Sequence, residues 1–264
     1  MSKIATWNVN SIKARLPALT RWLKAAEPDV VLLQETKVQD EAFPAEAIED
    51  LGYNIASKGQ RSYNGVAILA KSPIDVLLTA LPGDPDDDQA RYLEGFVGGI
   101  RVATIYLPNG NPIESEKFSY KLAWLDRLRQ HVEDALGCED AFVLGGDYNV
   151  IPDDRDVWDP EMFRDDALAR PESRAGFRRL LHLGLTDALR AVHGETPGYT
   201  YWDYQGRAFA ADHGLRIDHL LLTPQVADRL KDAGVDRTPR GWDKPSDHAP
   251  VWCTLDNGTT AQGV

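Results

Sequence analysis

Nine polar side chains stand where apolar runs give way to turn-forming residues: Asn8, Glu35, Tyr106, Asn109, Asp147, Asn149, Asp218, Asp247 and His248. Loops at the ends of a rigid scaffold are where function concentrates, and these residues are candidates to meet on one rim. Carboxylates gathered within a few ångström repel one another unless a cation resides among them. The set is rich in oxygen, free of thiolate and holds one histidine, so a hard cation, Mg²⁺ with Mn²⁺ as substitute, suits it better than zinc. Such a cation beside carboxylates, amides and an Asp-His couple suits hydrolysis of a phosphodiester, because the metal offsets phosphate charge while an acid orients or deprotonates water. Other chemistries lack their signatures. There is no Gly-x4-Gly-Lys-Ser/Thr loop for nucleoside triphosphates and no Gly-x-Ser-x-Gly elbow for a serine nucleophile.

The elements that must carry these residues are legible as periodicities. Lys3 to Val9, Gly65 to Ala70, Ala141 to Leu144, Arg216 to Thr223 and Ala249 to Leu255 read as strands, and Tyr199 to Tyr204 as extended. Val30-Val31-Leu32-Leu33 is the continuous apolar run of a strand buried on both faces. Tyr92 to Val97 and Ile100 to Leu107 flank Gly98-Gly99, a hairpin by its turn residues. Helical spacing links Leu16, Leu19, Trp22 and Leu23, and again Phe118, Leu122, Leu125, Leu128 and Val132. A charged helical pattern runs from Asp153 to Leu185, and a short helix from Pro224 to Leu230. Two sheets packed together with helices on the outside accommodate this order. Neither repeat nor linker interrupts it, so residues 1–256 read as one catalytic domain and 257–264 as a flexible polar tail.

At 264 residues, 43% hydrophobic and 27% charged, the chain has the composition of an ordinary globular protein. Its two cysteines, Cys138 and Cys253, are too few for a disulfide framework. No signal peptide is visible and no apolar run approaches the roughly 18–20 residues of a membrane span. A cytoplasmic monomer without membrane contact is the expectation. With 29 basic against 41 acidic residues the net charge is −12, which at first argues against a polyanionic partner. Part of that excess sits in one run, Asp84-Pro85-Asp86-Asp87-Asp88. Lys37, Lys58, Arg61, Arg91, Arg207, Arg216, Arg240 and Lys244 lie in or beside the segments with the candidate residues, so a basic face toward nucleic acid is compatible with the total.

Seven stretches, in order, carry a family resemblance: Thr6-Trp7-Asn8-Val9-Asn10, Leu33-Gln34-Glu35-Thr36-Lys37, Tyr63-Asn64-Gly65-Val66-Ala67-Ile68, Tyr106-Leu107-Pro108-Asn109-Gly110, Gly145-Gly146-Asp147-Tyr148-Asn149, Leu215-Arg216-Ile217-Asp218-His219-Leu220 and Ser246-Asp247-His248-Ala249-Pro250. Together they resemble the exonuclease III family of apurinic/apyrimidinic endonucleases, within the deoxyribonuclease I-like endonuclease/exonuclease/phosphatase group, over residues 4 to 255. The resemblance implies an α/β fold, a four-layer sandwich of two packed, mainly antiparallel β-sheets flanked by α-helices, with the site at one end of the two sheets. It implies that Glu35, helped by Asn8 and Asp247, holds the metal, and that Asp147 orients or activates water with Asn149 fixing that geometry. His248, hydrogen-bonded to Asp218, and Tyr106 would bind the scissile phosphate, with Asn109 a further contact. Arg61, Arg91, Arg216 and Lys244 would touch DNA. Trp202, Phe209, Leu215 and Ile217, beside Tyr201, lie where the family builds an apolar pocket for a sugar without its base, although core packing explains the same side chains. The segment Trp158 to Arg174, with Arg164, Arg170 and Arg174, is a candidate groove-contacting loop. The implied activity is 5′ incision at abasic sites in duplex DNA and trimming of 3′ ends. Two other readings are a small-molecule or lipid phosphoesterase of the same fold and a non-catalytic DNA-binding relative. Against the first, Leu215-Arg216-Ile217-Asp218 lacks the Trp-Cys-Asp-Arg pattern of inositol-phosphate phosphatases; against the second, the full metal and water-orienting set is present.

Overall fold

The structure, a computed structural model, describes residues 1–256. In chain order the elements are β1 (Ser2–Asn8), α1 (Ile12–Ala26), β2 (Val30–Gln34), α2 (Glu46–Glu49), β3 (Asn54–Lys58), β4 (Val66–Ala70), β5 (Ile74–Leu78), β6 (Tyr92–Val97), β7 (Ile100–Tyr106), α3 (Glu116–Leu136), β8 (Phe142–Asp147), α4 (Pro171–His182), β9 (Thr186–Asp187), α5 (Ala188–His193), α6 (Ala208–Ala211), β10 (Asp218–Leu222), α7 (Pro224–Ala227), β11 (Leu230–Val235) and β12 (Val251–Leu255). They form two six-stranded sheets, ordered β11-β12-β1-β2-β4-β3 and β5-β6-β7-β8-β10-β9. Both sheets are mixed. The parallel pairs are β1–β2 and β7–β8, each joined by a crossover helix, α1 and α3, and the remaining pairs are antiparallel.

Alternation along the strands builds the layers. In β1, Ile4 packs between the sheets with Leu32, Ile68, Leu93, Val143 and Leu220. Its neighbours Ala5 and Trp7 face the other way, against Leu19, Trp22 and Leu23 of α1. Trp124, Leu125 and Leu128 of α3 and Phe177 of α4 cover the outer face of the second sheet. The result is the expected helix–sheet–sheet–helix sandwich. No helix among the described residues is long and apolar enough to cross a membrane.

The sheets approach closely beneath the candidate residues. A Cβ on Gly145 would lie 2.6 Å from Leu32 and 2.7 Å from Leu220, and one on Gly146 would lie 1.9 Å from the Ile105 carbonyl oxygen. At Gly146 the contact is with backbone and only glycine fits, whereas a side chain at Gly145 would have to push the two leucine side chains aside. Three buried polar groups stitch the same region: Gln34 Nε2 donates to Thr6 Oγ1 and Thr104 Oγ1, each at 2.9 Å, and Thr104 Oγ1 donates to the Leu33 carbonyl at 3.0 Å. Buried polar groups with their partners supplied hold a unique arrangement instead of opposing burial.

Two readings of the sequence need correction. The helical pattern from Asp153 to Leu185 resolves into a 3₁₀ turn at Asp154–Asp156, an irregular segment, and α4 alone as α-helix. Side-chain turns dominate that segment: Asp159 Oδ1 accepts from the amides of Glu161 and Met162, and Asp166 Oδ1 from that of Leu168. The strands β3, β5, β9 and β11, absent from the reading of the sequence, are the four sheet edges. The tail at 257–264 lies outside the described residues.

Candidate active site

Strand register does most of the assembly. In the second sheet Asp147 is the cross-strand partner of both Tyr106 and Asp218, so three strand ends deliver neighbouring side chains to one face. In the first sheet Asn8 pairs with Gln34, which places Glu35 next to it at the same rim. Asp247 and His248 arrive on the turn before β12. Backbone here is held in unusual conformations: Asn10, Glu35, Lys37 and Asn149 all have positive φ, 44°, 53°, 55° and 47°. For a glutamate this costs on the order of 1 kcal/mol. Ser11 N donating to the Glu35 carbonyl (2.7 Å) and Lys37 N donating to the Asn64 carbonyl (2.9 Å) hold the turn.

Asn8 Nδ2 donates to Glu35 Oε1 (2.8 Å) and to Asp147 Oδ2 (2.9 Å), tying the two sheets' carboxylates together. Its own Oδ1 accepts the Asn10 amide at 3.0 Å. Asn8, expected to help hold a cation, thus turns its amide nitrogen to the two carboxylates and its oxygen to the Asn10 amide. Lys37 Nζ lies 2.7 Å from Glu35 Oε2 and also donates to Asn10 Oδ1. Asn10 Nδ2 in turn donates to Asp247 Oδ1 at 3.0 Å. Atoms of Glu35, Asp147 and His248 lie within 4.8 Å of one another, a span compatible with one bound ion. Asp247 borders the same cavity but stands outside that tight group.

His248 Nδ1 donates to Asp218 Oδ2 at 2.8 Å, and its Nε2 lies 3.8 Å from Asp147 Oδ2. Thr200 Oγ1 also donates to Asp218 Oδ2 (2.6 Å). The adjacent acid, Asp247, is therefore not the histidine's partner; the distant one is. Burial alone would lower the imidazole's pKa, but the charge and hydrogen bond of Asp218, with Asp147 and Asp247 nearby, push it up to about 10, so His248 is an imidazolium at neutral pH. Asp147 moves the opposite way from most acids. Burial raises its pKa, the imidazolium opposes this, and Asp218 and Glu35 add to the rise. For Glu35, burial would raise the pKa, yet Lys37, Asn8 and His248 together lower it. Tyr106 hydrogen-bonds Glu35, and burial with the charges of Glu35 and Asp147 keeps it a neutral O–H donor. The Arg91 guanidinium sits 4.7 Å over its ring. Asn149 N donates to Asp147 Oδ1 (2.9 Å), and Asn109 Nδ2 to Asn149 Oδ1 (3.1 Å).

These groups border a cavity of about 640 Å³ that Trp158, Phe163, Leu168, Tyr201, Leu215 and Ile217 also line, together with polar residues such as Asp166, Asp203 and Gln205. Leu215 and Ile217 thus lie where the sequence placed them. Trp202 and Phe209 do not border it. Trp202 is fully buried beneath Arg237, with its Nε1 donating to Asp212 Oδ1, and Phe209 packs against it. Trp158, stacked on His213 at 3.9 Å and 9°, takes that part of the wall.

The expectation that Arg216 touches DNA also needs correction. It is 1% exposed, with Nε 2.8 Å from Asp156 Oδ1 and one guanidinium nitrogen 2.6 Å from Asp187 Oδ2, and so cannot reach a phosphate outside the fold. Arg240 is likewise buried, donating to the Trp202 carbonyl at 2.8 Å. Arg164, Arg170 and Arg174 are paired with Glu161, with Asp165 and Glu172, and with Asp154. Arg61, Arg207 and Lys244 are exposed and Lys58 half-buried. The residues that reading the sequence overlooked are connectors: Asn10, Thr200, Tyr204 and Ser246, whose Oγ donates to the Asn8 carbonyl at 2.7 Å. Asn10 and Ser246 stand in stretches that carry the family resemblance, so a signal was present there; Thr200 and Tyr204 lie outside those stretches.

The sequence pattern of the Endonuclease/Exonuclease/phosphatase family matches residues 5–248. Exodeoxyribonuclease III of Haemophilus influenzae is 35% identical over 262 residues, covering 95% of this chain and 98% of that protein. Among solved structures, a 3′-5′ exonuclease (NExo) from Neisseria meningitidis is 43% identical with a TM-score of 0.94, covering 96% of this chain and 99% of that one. An AP endonuclease from Archaeoglobus fulgidus is 37% identical with a TM-score of 0.93, covering 97% and 100%.

Proposed function

The chain belongs to the Endonuclease/Exonuclease/phosphatase family and is one of its nuclease hydrolases, and from that premise we propose that it repairs duplex DNA, incising 5′ to abasic sites and trimming 3′ ends in a Mg²⁺-dependent reaction. The observation that carries the reading is the convergence of Glu35, Asp147, Asn149, Asp247 and His248 from both sheets on one cavity that Leu215, Ile217 and Trp158 also line. The donor set fits a hard cation: carboxylate oxygens in a site without thiolate, crowded enough that Asp147 resists ionising alone. Glu35 and Asp247 would hold it, with Mn²⁺ able to replace Mg²⁺. When bound, such an ion offsets phosphate charge and eases deprotonation of water.

The chain's own groups do the rest. Asp147 orients the attacking water and takes its proton; a raised pKa makes it a better base near neutrality. The Asn149 amide pins one of its oxygens. The His248 imidazolium and the Tyr106 hydroxyl donate to non-bridging phosphate oxygens, and Asn109 adds a contact. Asn8 bridges the two carboxylates so that they can stand side by side. Arg61, Arg91 and Lys244 meet the DNA backbone. Leu215, Ile217, Tyr201, Leu168 and Trp158 receive a sugar that has lost its base, whose withdrawal from the helix breaks no pairing. Residues 1–256 act as one catalytic unit, a cytoplasmic monomer with two free thiols, Cys138 and Cys253.

The test uses three duplexes, carrying an internal abasic analogue, a recessed 3′ end and a 3′-phosphate, each with Mg²⁺, Mn²⁺ or EDTA. Incision or trimming that EDTA abolishes supports the reading. Asp147→Asn is expected to lose at least ~10²-fold in turnover while still binding duplex. Near-normal turnover in that variant would sink the role given to Asp147.

A further inference from the structure

The apolar stripe of α3 contains a lysine. Lys121 lies between Phe118 and Trp124 on the buried side of the helix and is 0% exposed. A buried ammonium is costly unless its protons are taken up, and here two backbone carbonyls take two of them. Lys121 Nζ donates to the Asn109 carbonyl at 3.0 Å and to the Asn149 carbonyl at 2.5 Å. Its aliphatic stem is the floor on which the first of these loops rests. A Cβ on Gly110, whose φ is +92°, would lie 2.7 Å from Lys121 Cδ, so the Pro108–Gly110 turn lies directly on the lysine. The two carbonyls belong to residues whose side chains meet at the cavity, Asn109 Nδ2 donating to Asn149 Oδ1 (3.1 Å), and the Asn149 amide in turn fixes Asp147 Oδ1 (2.9 Å). Asn149 is held there at a φ of 47°. Lys121 itself does not border the cavity.

We propose that Lys121 is a positioning residue for the hydrolysis, clamping the turn at Asn109 and the turn at Asn149 so that Asp147 and the two asparagines face the phosphodiester in a fixed relation. The lysine touches no substrate; it acts through two carbonyls. Burial pushes its pKa down to about 7, against the pull of Asp147 and Asp166. Either form has N–H groups to donate, so the clamp holds on both sides of neutrality.

The inference rests on the assignment of Asp147 and Asn149 given above. The experiment compares Lys121→Met, which keeps the stem and removes every donor, with Lys121→Arg, which keeps charge and donors. Each is assayed for kcat and KM on the duplex that the wild type cleaves, and for duplex binding in EDTA. In Lys121→Met kcat is expected to fall at least ~10-fold, on the scale set by displaced catalytic groups, with KM and binding within about twofold; Lys121→Arg recovers most of the kcat. A folded Lys121→Met with kcat within about twofold of wild type, or with its loss confined to KM, overturns the proposal. If that variant does not fold, Lys121→Leu, which also removes every donor, takes its place under the same criteria. Asp147→Asn run in parallel separates the two failures. If it stays active, the assignment of Asp147 has failed; if it is dead while Lys121→Met is normal, only the clamp has.

Discussion

Arg216 offers the sharpest separation between a contact with DNA and a contact within the fold. Its guanidinium makes four short interactions: 2.8 and 3.1 Å to the two oxygens of Asp156, 2.6 Å to Asp187 Oδ2 and 2.9 Å to His219 Nδ1. Arg216→Met keeps comparable bulk and leaves two buried carboxylates short of a partner. Removing one side of a buried pair costs about 3–5 kcal/mol. Asp156 retains Arg190, and Asp187 still accepts from the amides of Leu189 and Arg190 at the start of α5, so the lower end applies. About 3 kcal/mol in a chain of this size is a fall of ~6–12 °C in Tm. The sign of the pH dependence follows from Asp187. Burial alone would raise its pKa, but Arg216 and His219 hold it well below the usual carboxylate range. That depressed value gives the wild type stability that is present above the unfolded pKa of about 4 and lost as pH falls. The variant loses this benefit and gains relief when its unpaired acids are protonated. Its deficit is therefore largest near pH 7 and shrinks toward pH 4. Thermal melts across that range check it, with duplex affinity measured against salt at a temperature where both proteins are folded. Affinity and salt slope are expected to match the wild type. A stable variant whose log–log salt slope drops by ~0.9, the signature of one lost phosphate contact, would refute this assignment.

Tyr204 joins Arg15, Asn10 and the Pro245 carbonyl, and so steadies the turn that presents Asp247. Tyr204→Phe is expected to lose about 1 kcal/mol of stability or less and up to ~10-fold in kcat, read by steady-state assay at saturating Mg²⁺. Trp158→Ala removes one apolar panel of the cavity's lining and should raise KM by roughly 10-fold, equivalent to one lost stacking partner, with kcat little changed. Glu94 is buried; burial would raise its pKa, but hydrogen bonds from His131 and Tyr92 and the charge of Arg101 lower it. Its contribution is present above the unfolded value and fades as pH falls, so Glu94→Gln should flatten the acid limb of Tm against pH between 3 and 6, a range set by ordinary carboxylate titration at about 4.3.

The eight interior strands were legible in the sequence and the four edges were not, for one physical reason. An interior strand packs against neighbours on both sides and shows runs such as Val30 to Gln34, every residue buried. An edge strand such as Ile74–Leu78 leaves Asp75, Val76 and Leu77 exposed and carries no comparable pattern. The same distinction separates the site's members. Asp147, Asp218 and His248 are ionisable groups at strand ends and announce themselves. Arg216 stands in the same run, yet nothing local reveals that Asp156 and Asp187 wait inside for it; only the long-range fold does. The one legible clue to Lys121 was a lysine on the apolar stripe of Phe118, Leu125 and Leu128.

Charge accounting explains why such hidden cations belong to the site. Glu35, Asp147, Asp218 and Asp247 bring four carboxylates to one rim, and Lys37, His248 and Lys121 place three cations in or beneath it. Asp166 and Asp203 border the same cavity and Arg91 lies over the Tyr106 ring, so the rim carries a surplus of carboxylates over cations. Burial first, then the charges of Asp218 and Glu35, push the pKa of Asp147 upward against the pull of His248. A divalent cation offsets that surplus, and a phosphodiester then meets less repulsion. Lys37 and His248 lie where they also contact the reacting region, whereas Lys121 sits below the cavity, where its charge counts and its side chain stays out of the substrate's way. Neutralising Lys121 without disturbing the loops should therefore tighten the divalent ion, because the same carboxylates keep one more unit of negative charge.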